Sequence, residues 1–407
     1  MATVVVVGAG IGGLTAAINL RKALGAEHQV AVVERETVQG FHPSVLWLLE
    51  GSRMPKDITR SIDAIRRRGI TLVHDTVRDI DMARRIVKCE REQVPYDFLV
   101  LAPGAEHAPE RVPGLVDAPP HPMASGSART SGPIFNLFSI EGVLGLRGAL
   151  ETAERGDILV AVPTGPQKCP PVPIEAAMIL DRVLRRAHKR RNFSISIYSP
   201  EALPFDATGA SVGRTILRGT MRRGVSYHGG WHLEAVERDR RVAVFTEGRV
   251  AYDILVSIPP IRVADFVKRA GLASGNDGFV AVDPHYLSAT VAGAPPGGEP
   301  RVFAIGDVTD IPMPRVPRGG SIPKSGVVAH LQSLVVAGNI AALVSGKTPR
   351  RRFSGLAMCV VEMGDFPPVT IVGNFLSQSG GFRVLPRLRA FTTVKQLVER
   401  NWLRERQ

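Results

Sequence analysis

The hydrophobic pattern is strongest at the start of the chain. Val4 to Val7 form a continuous β-branched run, which predicts a strand buried on both faces in a parallel sheet. Gly8, Gly10 and Gly13 follow, and Leu14 to Leu20 begin a helical pattern. A second apolar run, Val30 to Val33, ends at Glu34, roughly 20 residues on, as a dinucleotide fingerprint requires. The glycines allow a tight turn and close backbone approach, and the helix N-terminus offers free N–H groups to a pyrophosphate. The loop residues Gly8, Ala9, Gly10, Ile11, Gly12 and Gly13 are therefore candidate cofactor contacts. Glu34 is a candidate partner for a ribose hydroxyl.

Further along, residues 40–47 read as a turn-rich loop with a large aromatic, and Ile58 to Arg68 as a helix. Ile70 to Val73 predicts a strand, Arg84 to Pro95 a hairpin, and Phe98 to Ala102 a buried strand ending at Pro103-Gly104. Residues 105–133, rich in Pro, Gly, Ser and His, mark a linker or crossover. A second strand–helix–strand unit follows in Ile158–Val162, Ile174–Lys189 and Ile195–Tyr198. Its turn, residues 163–173, has no second G-x-G-x-x-G and several prolines, which remove the N–H groups a pyrophosphate would need. Cys169 sits in that turn. Arg301 to Asp307 predicts a strand ending in Gly306-Asp307, where an aspartate can accept hydrogen bonds from a ribityl or ribose hydroxyl. Residues 322–326 then lead into a helix from Val327 to Val344, and the last segment holds Cys359 and an amphipathic tail.

The expected fold class is α/β, with two Rossmann-like dinucleotide-binding domains plus a C-terminal segment associated with a membrane or quinone. An FAD-type domain is expected over 1–118 and again over 276–350. A second Rossmann-like domain without a nicotinamide site covers 119–275, and a C-terminal segment covers 351–407. With 44% hydrophobic and 22% charged residues among 407, the chain is an ordinary globular one. The net charge of +13 lies largely in short runs such as Arg66-Arg67-Arg68, Lys189-Arg190-Arg191 and Arg350-Arg351-Arg352. Solvated faces, an anionic membrane surface and nucleic acid are the readings of such runs. With no nucleic-acid-binding motif beside the charge, nucleic acid is not expected. Three cysteines (Cys89, Cys169, Cys359) make no disulfide framework. No metal site, signal peptide or membrane-spanning helix is expected, since no stretch of 18 uncharged apolar residues is evident.

Taken together, these motifs make the chain similar to the sulfide:quinone oxidoreductases, membrane-attached FAD proteins related to flavocytochrome c sulfide dehydrogenases and type II NADH dehydrogenases. The resemblance covers nearly the whole chain. Its specific motifs are Phe41-His42-Pro43-Ser44-x-x-Trp47, Cys169-Pro170-Pro171-x-Pro173-x-Glu175, Pro323-Lys324-Ser325-Gly326 and Cys359-Val360-Val361-Glu362-Met363-Gly364. It implies non-covalent FAD, with Pro43, Ser44, Val77, Ala102, Gly104, Gly306, Asp307 and Lys324 near the cofactor. It also implies a Cys169–Cys359 redox pair that takes electrons from sulfide to FAD and on to membrane quinone. The protein is then expected to be peripheral on the cell membrane and to form homo-oligomers in some cases. Two departures stand out. The third cysteine of many members is replaced by Phe135-Asn136-Leu137-Phe138, and His42 stands where the flavocytochrome branch links its flavin through a cysteine.

Roles inside this scheme stay open at several positions. Glu175 is either a proton relay or an acid favoured at a helix N-terminus. Lys324 either sets positive charge near the reduced flavin or is a surface lysine. Cys169 precedes a helix N-terminus in a basic chain, and both features would lower its pKa. Leu388, Phe391, Val394, Val398 and Trp402 share a helical stripe, read as an interfacial helix or as a face packed onto the body or a second subunit. Because the cofactor motifs and cysteines lie ahead of residue 385, the sulfide half-reaction should not need the tail. Alternative readings are a related sulfur or disulfide dehydrogenase with a cytochrome as acceptor, and a flavin-bound redox sensor.

Overall fold

The computed structural model describes residues 1–116, 134–291, 300–316, 320–378 and 381–405. The expected boundary at 118/119 lies outside the described residues, as does much of the linker expected at 105–133.

Two parallel sheets organise the chain. The first has strand β1 (Thr3–Val7) at its centre, flanked by β2 (Gln29–Glu34) and then β3 (Thr71–His74) on one side. On the other side lie β4 (Phe98–Leu101) and the returning β10 (Val302–Ala304). All these pairs are parallel, and Val4 to Val7 are buried from both faces. The second sheet takes β5 (Ile134–Asn136), β6 (Gly156–Ala161), β7 (Phe193–Ser199), β8 (Val225–Gly229) and β9 (Ile254–Ser257) in the order β5-β9-β6-β7-β8, again parallel.

Helix α1 (Ile11–Ala23) packs on helix α5 (Gly326–Val344). Gly12 makes this possible: a Cβ there would stand 3.4 Å from Ala329 Cβ and 3.3 Å from Ile305 Cδ1. Contrary to the sequence expectation, α5 is long and apolar enough to cross a membrane, with 19 residues, none of them charged. It nevertheless belongs to the core. Gln332, Ser333 and Asn339 on it are buried, Gln332 Oε1 accepts from the Gly306 amide at 2.7 Å, and Asn339 exchanges hydrogen bonds with the Arg351 backbone.

The second sheet carries α2 (Ile140–Thr152), α3 (Val172–Arg186) and α4 (Ala210–Met221). At the C-terminus a hairpin of β11 (Leu356–Met363) and β12 (Phe366–Asn374) packs on α3 and is followed by α6 (Ala390–Arg404).

Local differences from the sequence reading have local causes. The helix expected over 58–68 is a strand at Thr59–Ser61, paired with Val38–Gly40, followed by a 3₁₀ helix from Ile62 to Arg68. Ser61 caps that turn by accepting from the Asp63 amide at 3.3 Å, and Gly69, at φ 72°, ends it. The hairpin at 84–95 gains a third strand, Val77–Asp81, whose Val77 pairs opposite Cys89.

Asp181 is fully buried in α3 and accepts from Arg185 Nε at 3.0 Å and from Arg190 Nε and Arg223 Nε at 2.6 Å each. Burial opposes its ionisation, yet the three guanidiniums hold its carboxyl below the usual carboxylate range. A group lowered in the fold contributes stability that is present at neutral pH and lost as pH falls through its folded pKa. Asp181→Asn should therefore cost about 3 kcal/mol at neutral pH, because three cations, two of them largely buried, lose their anion. Denaturant unfolding should show this gap closing on acidification, and a gap independent of pH would contradict the assignment.

Candidate functional site

The first cleft opens where β1 meets α1. Gly8, at φ 95°, leaves no room for a side chain, since a Cβ would lie 2.4 Å from Ala102 O. A Cβ on Gly13 would lie 1.9 Å from Gly8 O, so the loop can only be built from glycine there. Gly10 and Gly104 face open space instead. No side chain caps α1 and its first turn has no acid, so its leading amides remain available to an anion. Ser44 is fully buried in the 3₁₀ turn His42–Ser44, with no hydrogen-bond partner for its Oγ among the described residues. A buried hydroxyl of this kind suits a ligand group. Asp307 follows β10 in the turn Gly306–Val308, with Lys168 Nζ at 3.8 Å. Glu34 holds the loop itself, accepting from the Ala9 amide at 2.7 Å and the Glu36 amide at 3.0 Å. A carboxylate offers about four acceptor positions, so two remain for a ribose. Val77 is half-buried against the core and Ala102 is buried. The residues present fit an adenine dinucleotide.

The second feature is a buried polar cluster beside two thiols. Cys169 adopts φ 45° in the turn before α3, and its amide donates to Lys324 O at 2.9 Å. Cys359 lies in β11, which packs on α3. Both are free and partly buried, and each feels the charges of Glu175 and Lys395. Glu175, in the first turn of α3, accepts from Lys395 Nζ at 3.2 Å and from the Glu362 amide at 3.1 Å. Glu362 accepts from Lys395 Nζ at 2.8 Å and from Trp47 Nε1 at 2.7 Å. The register of β11 is irregular between Val361 and Met363. That bulge breaks the strand alternation at Glu362.

This electrostatic setting reverses one expectation. Burial, with the Glu175 carboxylate second, pushes the Cys169 thiol up to about 12, and only Lys395 among the charged neighbours that act on it pulls it down. Cys359 is raised well above the ordinary thiol value for the same first reason, with Cys169 and Glu175 adding to it. The helix N-terminus and the basic chain do not prevail, because desolvation of a buried thiolate outweighs them. Glu175 is raised by burial against the pull of Lys395. Glu362 is lowered despite burial, through Lys395 and Trp47.

Lys324 is buried rather than on the surface. Its ammonium donates to Thr309 O and lies 4.3 Å from the Phe279 ring, and burial lowers its pKa to about 8. Its carbonyl, through the Cys169 amide, fixes the cysteine turn. Cys89 has separate surroundings: burial raises it to about 12, and the charges acting on it are Asp75 and Glu92.

Sequence reasoning missed Lys395 altogether. Glu362 and Trp47 stood inside quoted motifs without a role. The stripe expected on the tail is split: Trp402 is buried, its ring 5.0 Å from that of Phe41, while Leu388 and Val398 are exposed. The helix thus packs onto the body, and its Lys395 enters the cysteine site. Lys395 of the tail thereby joins the groups whose charges act on both thiols.

Residues 2–133 match the pyridine nucleotide-disulphide oxidoreductase family. Over 373 residues the chain is 24% identical to the mitochondrial sulfide:quinone oxidoreductase of Mus musculus, covering 89% of this chain and 75% of that one. It is 22% identical to the sulfide-quinone reductase of Aquifex aeolicus, covering 89% and 81%. The structure of the sulfide:quinone oxidoreductase from that bacterium superposes with a TM-score of 0.84 at 18% identity, over 100% of this chain and 91% of the other. The chain resembles the sulfide:quinone oxidoreductases in sequence and in fold. The residues of the cradle between β1 and α1 fit FAD.

The two opposed charges on the thiols make a test with a clear sign. In the reduced protein, Glu175→Gln should lower the alkylation midpoint of Cys169 and Lys395→Met should raise it, each by about one pKa unit. Iodoacetamide rates followed against pH read this directly. Shifts in the same direction for both variants would refute the cluster.

Proposed function

We propose that the protein is an FAD-dependent sulfide:quinone oxidoreductase working through Cys169 and Cys359. The observation that supports the reading is that β11, which carries Cys359, packs on α3, which Cys169 precedes, with the charges of Glu175 and Lys395 acting on both thiols, in a fold that cradles a dinucleotide. FAD, where bound, would supply a two-electron acceptor.

Hydrosulfide opens a Cys169–Cys359 disulfide, so one sulfur becomes a persulfide and the other leaves as a thiolate. Closing the pair again around the retained sulfur gives a trisulfide and releases one proton and two electrons. That FAD would take up the two electrons with the proton, for transfer to quinone. Glu175 is suited to take the proton that hydrogen sulfide gives up as it enters as hydrosulfide, since burial has raised its pKa and it lies among the charges that act on both thiols. Lys395 stabilises whichever thiolate forms. Lys324 sets the Cys169 turn through its backbone, and its ammonium donates to Thr309 O. In the second domain, prolines 171 and 173 stand at the start of α3. That feature supports oxidation of sulfide rather than of a nicotinamide dinucleotide.

Anaerobic sulfide should bleach the bound flavin, and a soluble quinone should restore its colour. Cys169→Ser and Cys359→Ser should each abolish bleaching while flavin stays bound, and Cys89→Ser should leave it unchanged. A flavin that sulfide reduces equally well in either active-site variant would end this mechanism.

A further inference from the structure

The buried cluster beside the thiols runs one charge pair further than Lys395. Arg182, in α3, forms an ion pair with Glu50, the residue that follows the helical turn Leu46–Leu49. Its Nη2 also stands 3.7 Å from Glu362 Oε2, and its Nη1 donates to Gly364 O at 3.1 Å. None of the three side chains is more than 12% exposed. The hairpin comes this close through a glycine: Gly364 has φ 63°, and a Cβ there would lie 2.8 Å from Met178 O, one turn before Arg182. Glu175, Lys395, Glu362, Arg182 and Glu50 therefore form one row of contacts in which the sign of the charge alternates. Other charges nearby have their own partners. Arg53 pairs with Glu399 beside Trp47, and Asp181 is held by Arg185, Arg190 and Arg223. The exposed Arg186 lies 4.0 Å from Glu50.

With three carboxylates against two cations, the ionised row carries one net negative charge, and a single proton balances it. Its position follows from which carboxylate is least stabilised as an anion. Glu362 stands between two cations and also accepts from Trp47 Nε1. Glu50 has Arg182 and Arg186, and accepts from Ser52 Oγ at 2.9 Å. Glu175 has one cation, Lys395. We propose that Arg182, clamped by Glu50, is a positioning residue that keeps Glu362 ionised and so directs the one proton of the cluster to Glu175. Its part in the reaction rests on the sulfide reading above. The electrostatic directions agree with the geometry: Glu362 is lowered despite burial, with Arg182 among the causes, while Glu175 is raised. Were Glu362 to take the proton, Glu175 would stay ionised, and its charge raises the Cys169 thiol. Arg182 thus acts on the thiol through two carboxylates.

The test uses the flavin-loaded protein and needs no sulfide. Because Trp47 Nε1 donates to Glu362, Trp47 emission followed against pH reports the charge of Glu362, with Trp47→Phe subtracted in each background. Arg182→Met should move that transition up by about one pH unit, and Arg182→Lys should restore most of the shift. Glu50→Gln should move it down, because Arg182 then faces Glu362 alone. In the reduced protein, the iodoacetamide midpoint of Cys169 should rise in Arg182→Met and fall in Glu50→Gln. Glu50→Gln with Arg182→Met deletes both members of the buried pair, so it should melt with wild type and still show the upward Trp47 shift. Flavin absorbance and melting temperature confirm that each variant is folded. A Trp47 transition unmoved in Arg182→Met and in the double variant, or moved in one direction by both single variants, would overturn the assignment. Anaerobic sulfide added to wild type separates the two readings: a flavin that fails to bleach while the Trp47 shifts are present refutes the sulfide reading and supports the placement of the proton.

Discussion

Lys395 is the charge on which the rest of the site depends. Two carboxylates, Glu175 and Glu362, are buried within reach of one another and of two thiols, and in isolation neither would tolerate the other ionised. One ammonium between them, at 3.2 and 2.8 Å, makes the arrangement stable. Removing one partner of such a buried set leaves an uncompensated charge, which is far more costly than never having built it. The constraint reaches outward. Trp47 must donate to Glu362, Arg53 stacks on Trp47 and pairs with Glu399 of α6, and Phe41 packs on Trp402. The loop 41–47, the hairpin and the last helix are therefore one unit, although more than 300 residues of chain separate the loop from the other two.

Much of the fold was legible in the sequence because it rests on local signals. The valine run, the glycine loop and Glu34 are read from spacing alone, and the structure places them as that spacing demands. The proline-rich turn at 163–173 likewise shows on inspection, since proline acts through its own ring. The 3₁₀ helix at 62–68 was harder, because an apolar helical period does not distinguish it from an α-helix. Thr59 and Ser61 were drawn into a strand by pairing with Val38–Gly40, a contact no local pattern encodes.

The site was less legible for the same reason. Lys395 looks like one of seven basic residues in a tail, and nothing in its neighbours marks it as buried. Its role comes from tertiary packing that turns the α6 face carrying Lys395, Glu399 and Trp402 inward, against the apolar stripe that Leu388 and Val398 suggested. The thiol pKa values failed for a related reason. Helix dipole and net charge can be read from a sequence, but desolvation depends on depth, and here depth prevails.

The raised thiol values make chemical sense once charge is counted over the cluster. With Lys395 positive and both carboxylates ionised, the pocket carries one net negative charge. If Glu175 takes up a proton, Lys395 and Glu362 balance, and the pocket can admit one thiolate without changing its total. In the proposed exchange a thiolate appears as a disulfide opens, so the negative charge moves from Glu175 to sulfur rather than being added to a buried site. The large desolvation cost that raises both thiols then opposes a second thiolate but not the first. A pocket built this way stores its cysteines neutral and still lets one of them become a nucleophile. The ammonium that permits this is supplied by the last helix of the chain, so the sulfur chemistry and the seating of that helix cannot be separated.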